Sequence, residues 1–240
     1  QLKNMQKLVT GDFLNFVKYM WPEFIEGKHH RDISQKFNDL STGKINRLIV
    51  NMPPRHTKSE FASYFLPAWM IGKNPNLKII QATHTADLAI DFGRKTKNLV
   101  DDEKYHEMFD TRLQEDSQAA GKWKTEQGGE YFAAGVGGAI TGRGADLLII
   151  DDPHKEQDLK GDGSAFEKAW NWYMSGPRQR LQPGGKIVLV MTRWSTKDLT
   201  GKLIQEMANE DGDEWDIVEL PAILPNDKPV WPEYWDIKEL

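Results

Sequence analysis

The chain has no cysteine among its 240 residues, which excludes disulfide cross-links and thiolate metal sites and agrees with a reducing compartment. No apolar run approaches the roughly 20 residues that a membrane-spanning helix needs. The N-terminal QLKNMQKLVT lacks the apolar core of a signal peptide. A basic excess is missing too: 31 Lys and Arg stand against 36 Asp and Glu, a net charge of −5. That balance argues against a protein that coats nucleic acid electrostatically, while leaving room for contact through a few local groups. Internal repeats and low-complexity tracts are also lacking. What is present is ordinary for a folded domain, with 39% hydrophobic and 28% charged residues, enough to bury one large core with peripheral additions. Nine tryptophans are many; for Trp170, Trp172, Trp231 and Trp235 the expected role is packing.

Apolar spacing near 3.6 in FLNFVKYM and DISQKFNDL predicts helices over the first forty residues. Strand-like segments then recur: RLIVNM (47–52), LKIIQAT (77–83), EYFAAGV (130–136), LLIIDD (147–152), KIVLVMTR (186–193) and WDIVELPAI (215–223). Amphipathic helical segments fall between most of them. Continuous apolar strands alternating with helices predict an α/β fold with a mostly parallel sheet and helices on both faces. The polar stretch 101–129 lacks a clean period and reads as a surface excursion. The expected organisation is an N-terminal helical segment over 1–44, a core over 45–224, and a Pro- and Trp-rich tail over 225–240 that reads as the start of a linker. The missing initiator Met is read the same way, as a sign of an excised domain.

The most telling stretch is INRLIVNMPPRHTKSE, residues 45–60. An apolar strand enters a sharp turn, and Lys58-Ser59 open a helix, the layout of a phosphate-binding loop. Both glycines of the usual Gly-x-x-x-x-Gly-Lys-Ser/Thr pattern are replaced, by Met52 and Thr57. The curve over Pro54, Arg55, His56 and Thr57 must then come from the two prolines and from backbone strain. Lys58 would neutralise the β- and γ-phosphates, Ser59 would offer a hydroxyl to Mg²⁺, and the helix N-terminus would present free amides. About 90 residues later LLIIDDP delivers Asp151 and Asp152 to a strand end, where open α/β sheets bind ligands. Asp151 would hold Mg²⁺ through its water shell, and Asp152 would orient or deprotonate the attacking water.

MPPRHTKSEFASYFLPAWMIGKNPNLKIIQATHTADLAIDFGRK, GGAITGRGADLLIIDDPHK and PGGKIVLVMTRW together resemble the ATPase domain of large terminase subunits, the DNA-packaging motors of tailed bacteriophages. The resemblance runs from about residue 28 to the end. It implies a P-loop NTPase fold of the additional-strand type and hydrolysis of ATP with Mg²⁺. Its implied partners are double-stranded DNA, a portal protein and a small terminase subunit. It further implies a homo-oligomeric ring assembled from subunits that are monomeric in isolation, in the host cytoplasm and transiently on the procapsid portal, with no membrane. A nuclease domain is expected beyond Leu240, so this stretch is expected to lack nuclease activity. Lys58 and Ser59 match the family's loop lysine and metal-binding hydroxyl, and Arg55 an arginine within that loop. Asp151 matches the metal-associated acid and Asp152 the catalytic carboxylate, with Glu156 or His154 placed to assist. Thr192 matches the coupling segment.

Arg143, in the glycine-rich TGRGAD, is the candidate arginine finger, against a plain ion pair with Asp146 or a surface acid; Arg193 is its competitor. Gln35, near His30 and Arg31, lies where the resemblance expects adenine to be read. His29-His30 is expected to be a solvated pair, His84 a loop histidine beside the pocket, and Arg94, Lys95 and Lys97 a solvated helix face. Two other readings stand beside the packaging motor. A helicase-like or remodelling translocase would need a second motor domain. A nucleotide-insensitive assembly module would explain the missing glycines.

Overall fold

The apolar runs become the inner strands of one eight-stranded sheet, in a computed structural model that describes residues 2–140 and 142–240. Helices α1 (Leu2–Gly11), α2 (Phe13–Met20) and α3 (Lys28–Ser41) precede β1 (Arg47–Asn51). After the loop, a π-helical stretch (Glu60–Phe65) continues into α4 (Leu66–Lys73), followed by β2 (Lys78–Thr83), α5 (Ala86–Val100) and the short α6 (Glu103–His106). Strands β3 (Leu113–Ala119), β4 (Lys122–Thr125), β5 (Glu130–Gly135) and β6 (Ala145–Asp151) come next. Then follow α7 (Ser164–Ser175), β7 (Leu181–Met191), α8 (Leu199–Glu206) and β8 (Asp216–Glu219).

The strand order is β3-β4-β5-β2-β6-β7-β1-β8. Every pairing from β5 to β8 is parallel; the β3–β4 and β4–β5 pairings are antiparallel, so β4 alone runs against the other strands. One strand, β7, separates β1 from β6, the additional-strand arrangement of the P-loop NTPase fold. In a parallel sheet β1 and β6 still deliver their C-terminal ends to the same edge.

Both faces are buried, and residues alternate between them with the period of two that a strand imposes. Leu48, Val50, Leu147, Ile149, Val188 and Val190 join a core shared with α1 to α5. Ile49, Leu148, Ile150, Ile187 and Leu189 join the opposite core, with α7 and α8. Burial on both sides explains why these strands carry no polar alternation. Phe13 of α2 anchors the N-terminal helices. Its ring meets Phe37, Phe61 and Trp69 edge-on at 4.9, 5.3 and 5.6 Å.

The stretch 101–129 is not a surface excursion. It extends the sheet as the β3–β4 hairpin, and Trp123 stacks on Tyr131 at 4.9 Å while its indole N–H donates to the Gly93 carbonyl. Tyr105 of α6 is buried and donates to the Ala68 carbonyl. β4 has four residues and β3 is an edge strand exposed along much of its length. Two inward side chains in so short a segment leave no period to read.

Truncating Phe13 removes the ring on which three aromatic neighbours pack. Phe13→Ala is expected to cost about 3–5 kcal/mol, measured as a lower urea midpoint with an unchanged slope.

Candidate functional site

The loop between β1 and the π-helical stretch turns without glycine. Arg55 and Thr57 have φ of 60° and 67°, the left-handed region that costs an L-residue roughly 1–2 kcal/mol. The strain therefore sits on these two residues, and the prolines, with φ held negative by their rings, lead into it. Local hydrogen bonds hold the curve. The buried His56 ring places Nδ1 2.8 Å from the Pro54 carbonyl, as an N–H donor, and the Thr57 hydroxyl donates to the His56 carbonyl at 2.6 Å.

Lys58 and Ser59 leave this turn facing the end of β6. The Ser59 hydroxyl donates to Asp151 Oδ1 at 3.0 Å, and the Ser63 hydroxyl, one turn on, donates to Oδ2 at 2.7 Å. Gln81 of β2 donates to the Ser63 oxygen. Asp151 is 1% exposed. Burial, and secondarily the charge of Asp152, push its carboxyl up to about 7, against opposing pulls from Ser63, Lys58 and Ser59.

Asp152 is held at every polar group. Its φ is 40°. Its amide donates to Val190 and its carbonyl faces Nδ1 of His84 at 3.1 Å. Oδ1 accepts the Thr192 amide at 2.8 Å, and Oδ2 pairs with Lys58 Nζ at 2.8 Å. The Thr192 hydroxyl donates to the Met52 carbonyl at 3.2 Å, tying the end of β7 to the start of the loop. Lys58, Ser59, Asp151, Asp152 and Thr192 thus meet at one sheet edge, as the sequence reading requires.

Beside the loop lies a cleft of about 350 Å³. Arg55, Thr57 and Glu60 line one side, and Trp21, Tyr234 and Trp235 are among its other walls. Trp231 is buried against His29 and His30, and Trp235 stacks over His56 at 5.9 Å. The tail therefore packs on the loop.

Other candidates lie elsewhere or are bound to other groups. Arg143 precedes β6 at the opposite end from Asp151. The seven residues of β6 put about 20 Å between the two ends. Its guanidinium pairs with Glu130, not Asp146, and stands 4.1 Å over the Phe132 ring; Asp146 accepts the Lys78 amide instead. Arg193 is at the correct edge but is bound to the buried Asp198 at 3.0 Å and to the Ser195 carbonyl. His154 is buried, with Nε2 accepting the Leu199 amide, and Glu156 is exposed. Gln35 is outside the cleft, bonded to Asp39 on the exposed side of α3.

His29 and His30 are not solvated; they are 2% and 0% exposed. Burial first, then a neighbouring imidazole, hold His29 down at about 4 and His30 at about 2, so both are neutral bases. Sequence reasoning also missed Ser63, although its spacing of four from Ser59 puts both hydroxyls on one helix face.

No group of three or more His, Cys, Asp or Glu able to hold a metal occurs among the described residues. A hydroxyl and a carboxylate 3.0 Å apart are hard oxygen donors. They suit Mg²⁺, which takes one or two protein groups and completes its shell with phosphate and water.

Asp151 yields a pH prediction. Its carboxyl keeps its proton to higher pH in the fold than its ordinary 3.8. The stability this contributes is fully present below about pH 4 and is lost as pH rises through about 7. Asp151→Asn, which is neutral throughout, is expected to overtake the wild type in that window. Its advantage above pH 7 should reach a few kcal/mol, read by urea unfolding at pH 4.5 and 8 without nucleotide.

No protein-family model and no curated protein sequence matches the chain. Solved structures do. The large terminase of bacteriophage HK97 superposes with a TM-score of 0.57 at 14% identity, over 90% of this chain and 44% of that one. The large terminase of a thermophilic bacteriophage, in complex with ATP-gamma-S, gives 0.51 at 12% identity, over 84% of this chain and 45% of that one. This chain spans less than half the length of either protein. At these identities the likeness is one of architecture: over the matched residues, the chain has the fold of these large terminases.

Proposed function

We propose that this chain is the ATPase motor domain of a DNA-packaging large terminase, hydrolysing ATP with Mg²⁺ to drive double-stranded DNA into a procapsid. The observation that carries the reading is the meeting of Lys58 and Ser59 with Asp151 and Asp152 at one sheet edge. Those pairs come from strands separated by β7. A motor of this kind works as a ring at a portal, fed by a small subunit.

Lys58 changes partner when a triphosphate enters, from Asp152 to the β- and γ-phosphates, and the helix N-terminus adds its amides. The released Asp152 carboxylate then faces the attacking water, with one oxygen still oriented by the Thr192 amide. It accepts the proton as the water oxygen bonds to the γ-phosphorus and the ADP oxygen leaves. Ser59 and Asp151 would hold Mg²⁺, which when bound neutralises charge on the β- and γ-phosphates. Arg55 lines the rim and senses the γ-phosphate, and the aromatic cleft beside it receives the base. Thr192 bridges Asp152 and Met52, so hydrolysis shifts β7 against the loop.

A guanidinium at the far end of β6 cannot reach its own site. Arg143 acts as a finger by leaving Glu130 and entering a neighbour's site in the ring, an effect worth about three or more orders of magnitude in rate.

Titration calorimetry with Mg²⁺ and ATP-gamma-S tests the reading. The chain is expected to bind, Lys58→Ala to abolish the heat, and Asp152→Asn to bind as tightly or more tightly, since Lys58 no longer leaves a carboxylate. Hydrolysis by Asp152→Asn should fall about a hundredfold or more. No heat from the wild type would favour an assembly module instead. Arg143→Ala should leave the affinity of the isolated chain unchanged and remove the rise in hydrolysis on ring assembly. A loss of affinity in the isolated chain would sink its role in trans.

A further inference from the structure

Thr57 presents a physical problem that nothing in the phosphate-binding chemistry resolves. A β-branched residue at φ 67° is a genuine outlier, and it stands at the point where the loop must curl to aim its amides. Strain of this kind persists only where the surroundings over-determine it. The surroundings here come from a different element, α3.

The His30 ring is fully buried, wedged edge-on between Phe24 at 4.7 Å and Trp231 at 4.8 Å, with Phe61 at 5.0 Å. The Gly27 amide donates to its Nδ1 at 2.8 Å. An amide can only donate, so Nδ1 is the bare nitrogen and the proton sits on Nε2. Nε2 lies 2.7 Å from the Thr57 hydroxyl. It donates there, and the hydroxyl passes its own proton on to the His56 carbonyl at 2.6 Å. Every hydrogen in this chain of bonds points one way, from the start of α3 into the loop. Gly27 permits the approach, because a Cβ there would lie 2.6 Å from the Trp231 ring and 2.9 Å from His29.

We propose that His30 is the positioning residue of this loop: its Nε2–H holds Thr57 in the left-handed conformation and so does the work of the glycine that phosphate-binding loops ordinarily carry. The threonine is then part of the device. Its hydroxyl is the handle, absent from glycine, by which α3 sets the direction of the amides before Lys58. His30 touches no phosphate. It acts through Thr57, and its consequence for affinity rests on the nucleotide-binding reading above.

A four-way comparison tests this, using wild type, His30→Phe, Thr57→Gly and the double variant. Phenylalanine fills the ring space between Phe24 and Phe61 and deletes the donor; His30→Gln, which restores an N–H donor, serves as a further control. His30→Phe is expected to weaken Mg²⁺–ATP-gamma-S binding about tenfold or more, the factor that release of this backbone strain corresponds to. Thr57→Gly removes both the handle and the strain, so affinity in its background should no longer depend on residue 30. The double variant should bind as Thr57→Gly does and more tightly than His30→Phe, while its melting temperature stays lowered, because glycine relieves the loop and not the packing around residue 30. A double variant as weak as His30→Phe overturns the proposal, as does a His30→Phe that binds like wild type. Crystal structures of wild type and His30→Phe without nucleotide give Thr57 φ directly. A φ that stays near +67° in His30→Phe sinks the positioning role even if nucleotide binds. A φ that leaves the left-handed region supports it even if the wild type proves unable to bind nucleotide, an outcome that would fell only the functional reading.

Discussion

The contact on which the site depends is the double closure between the loop and the end of β6: Lys58 to Asp152, and Ser59 with Ser63 to Asp151. β7 lies between the strands that supply these groups, so the contact bridges across a strand. It gives the buried Asp151 carboxyl two hydroxyl donors, and it gives Lys58, which is 7% exposed, a carboxylate partner in Asp152. Unpaired, the lysine charge would cost several kcal/mol in such a place.

Backbone strain gathers at this site. Four non-glycine residues among those described have positive φ, and three of them, Arg55, Thr57 and Asp152, belong to this site. Two of them are anchored by groups from other elements: Thr57 by His30 of α3, and Asp152 by His84 after β2 and Thr192 after β7. The rest of the sheet is regular, so its rigidity can support the unfavourable backbone at one edge. The N-terminal helices thereby gain a second role. Besides covering one face of the sheet, they hold the shape of the loop from outside.

Much of this was legible in the residues. The apolar runs 47–52, 77–83 and 147–152 read as inner strands because burial on both faces demands continuous hydrophobicity, and the helices between them read by period. Lys58, Ser59, Asp151 and Asp152 were legible because strand ends in a parallel sheet share an edge. The hairpin in 101–129 was hidden by its shortness and by its place at the edge of the sheet, where most side chains meet water. His29 and His30 misled because paired histidines near lysine and arginine look solvated, and only the packing of Phe24, Phe61 and Trp231 reveals that they are enclosed. Gln35 misled because a helix position says nothing of which side faces the loop.

The division follows from range. By itself, the sequence determined what nearest neighbours and periodicity decide: which segments become strands, that the sheet is mostly parallel, and that a lysine-serine step and a pair of aspartates stand at strand ends. Tertiary structure alone decided what depends on groups far apart in the chain. It put β7 between the two strands and set Arg143 at the far end of β6. It also folded the tail over the loop and let a histidine from α3 support a threonine in place of glycine. Hydrogen bonds across such distances leave no spacing in the sequence, because their geometry exists only once the sheet has brought the partners together.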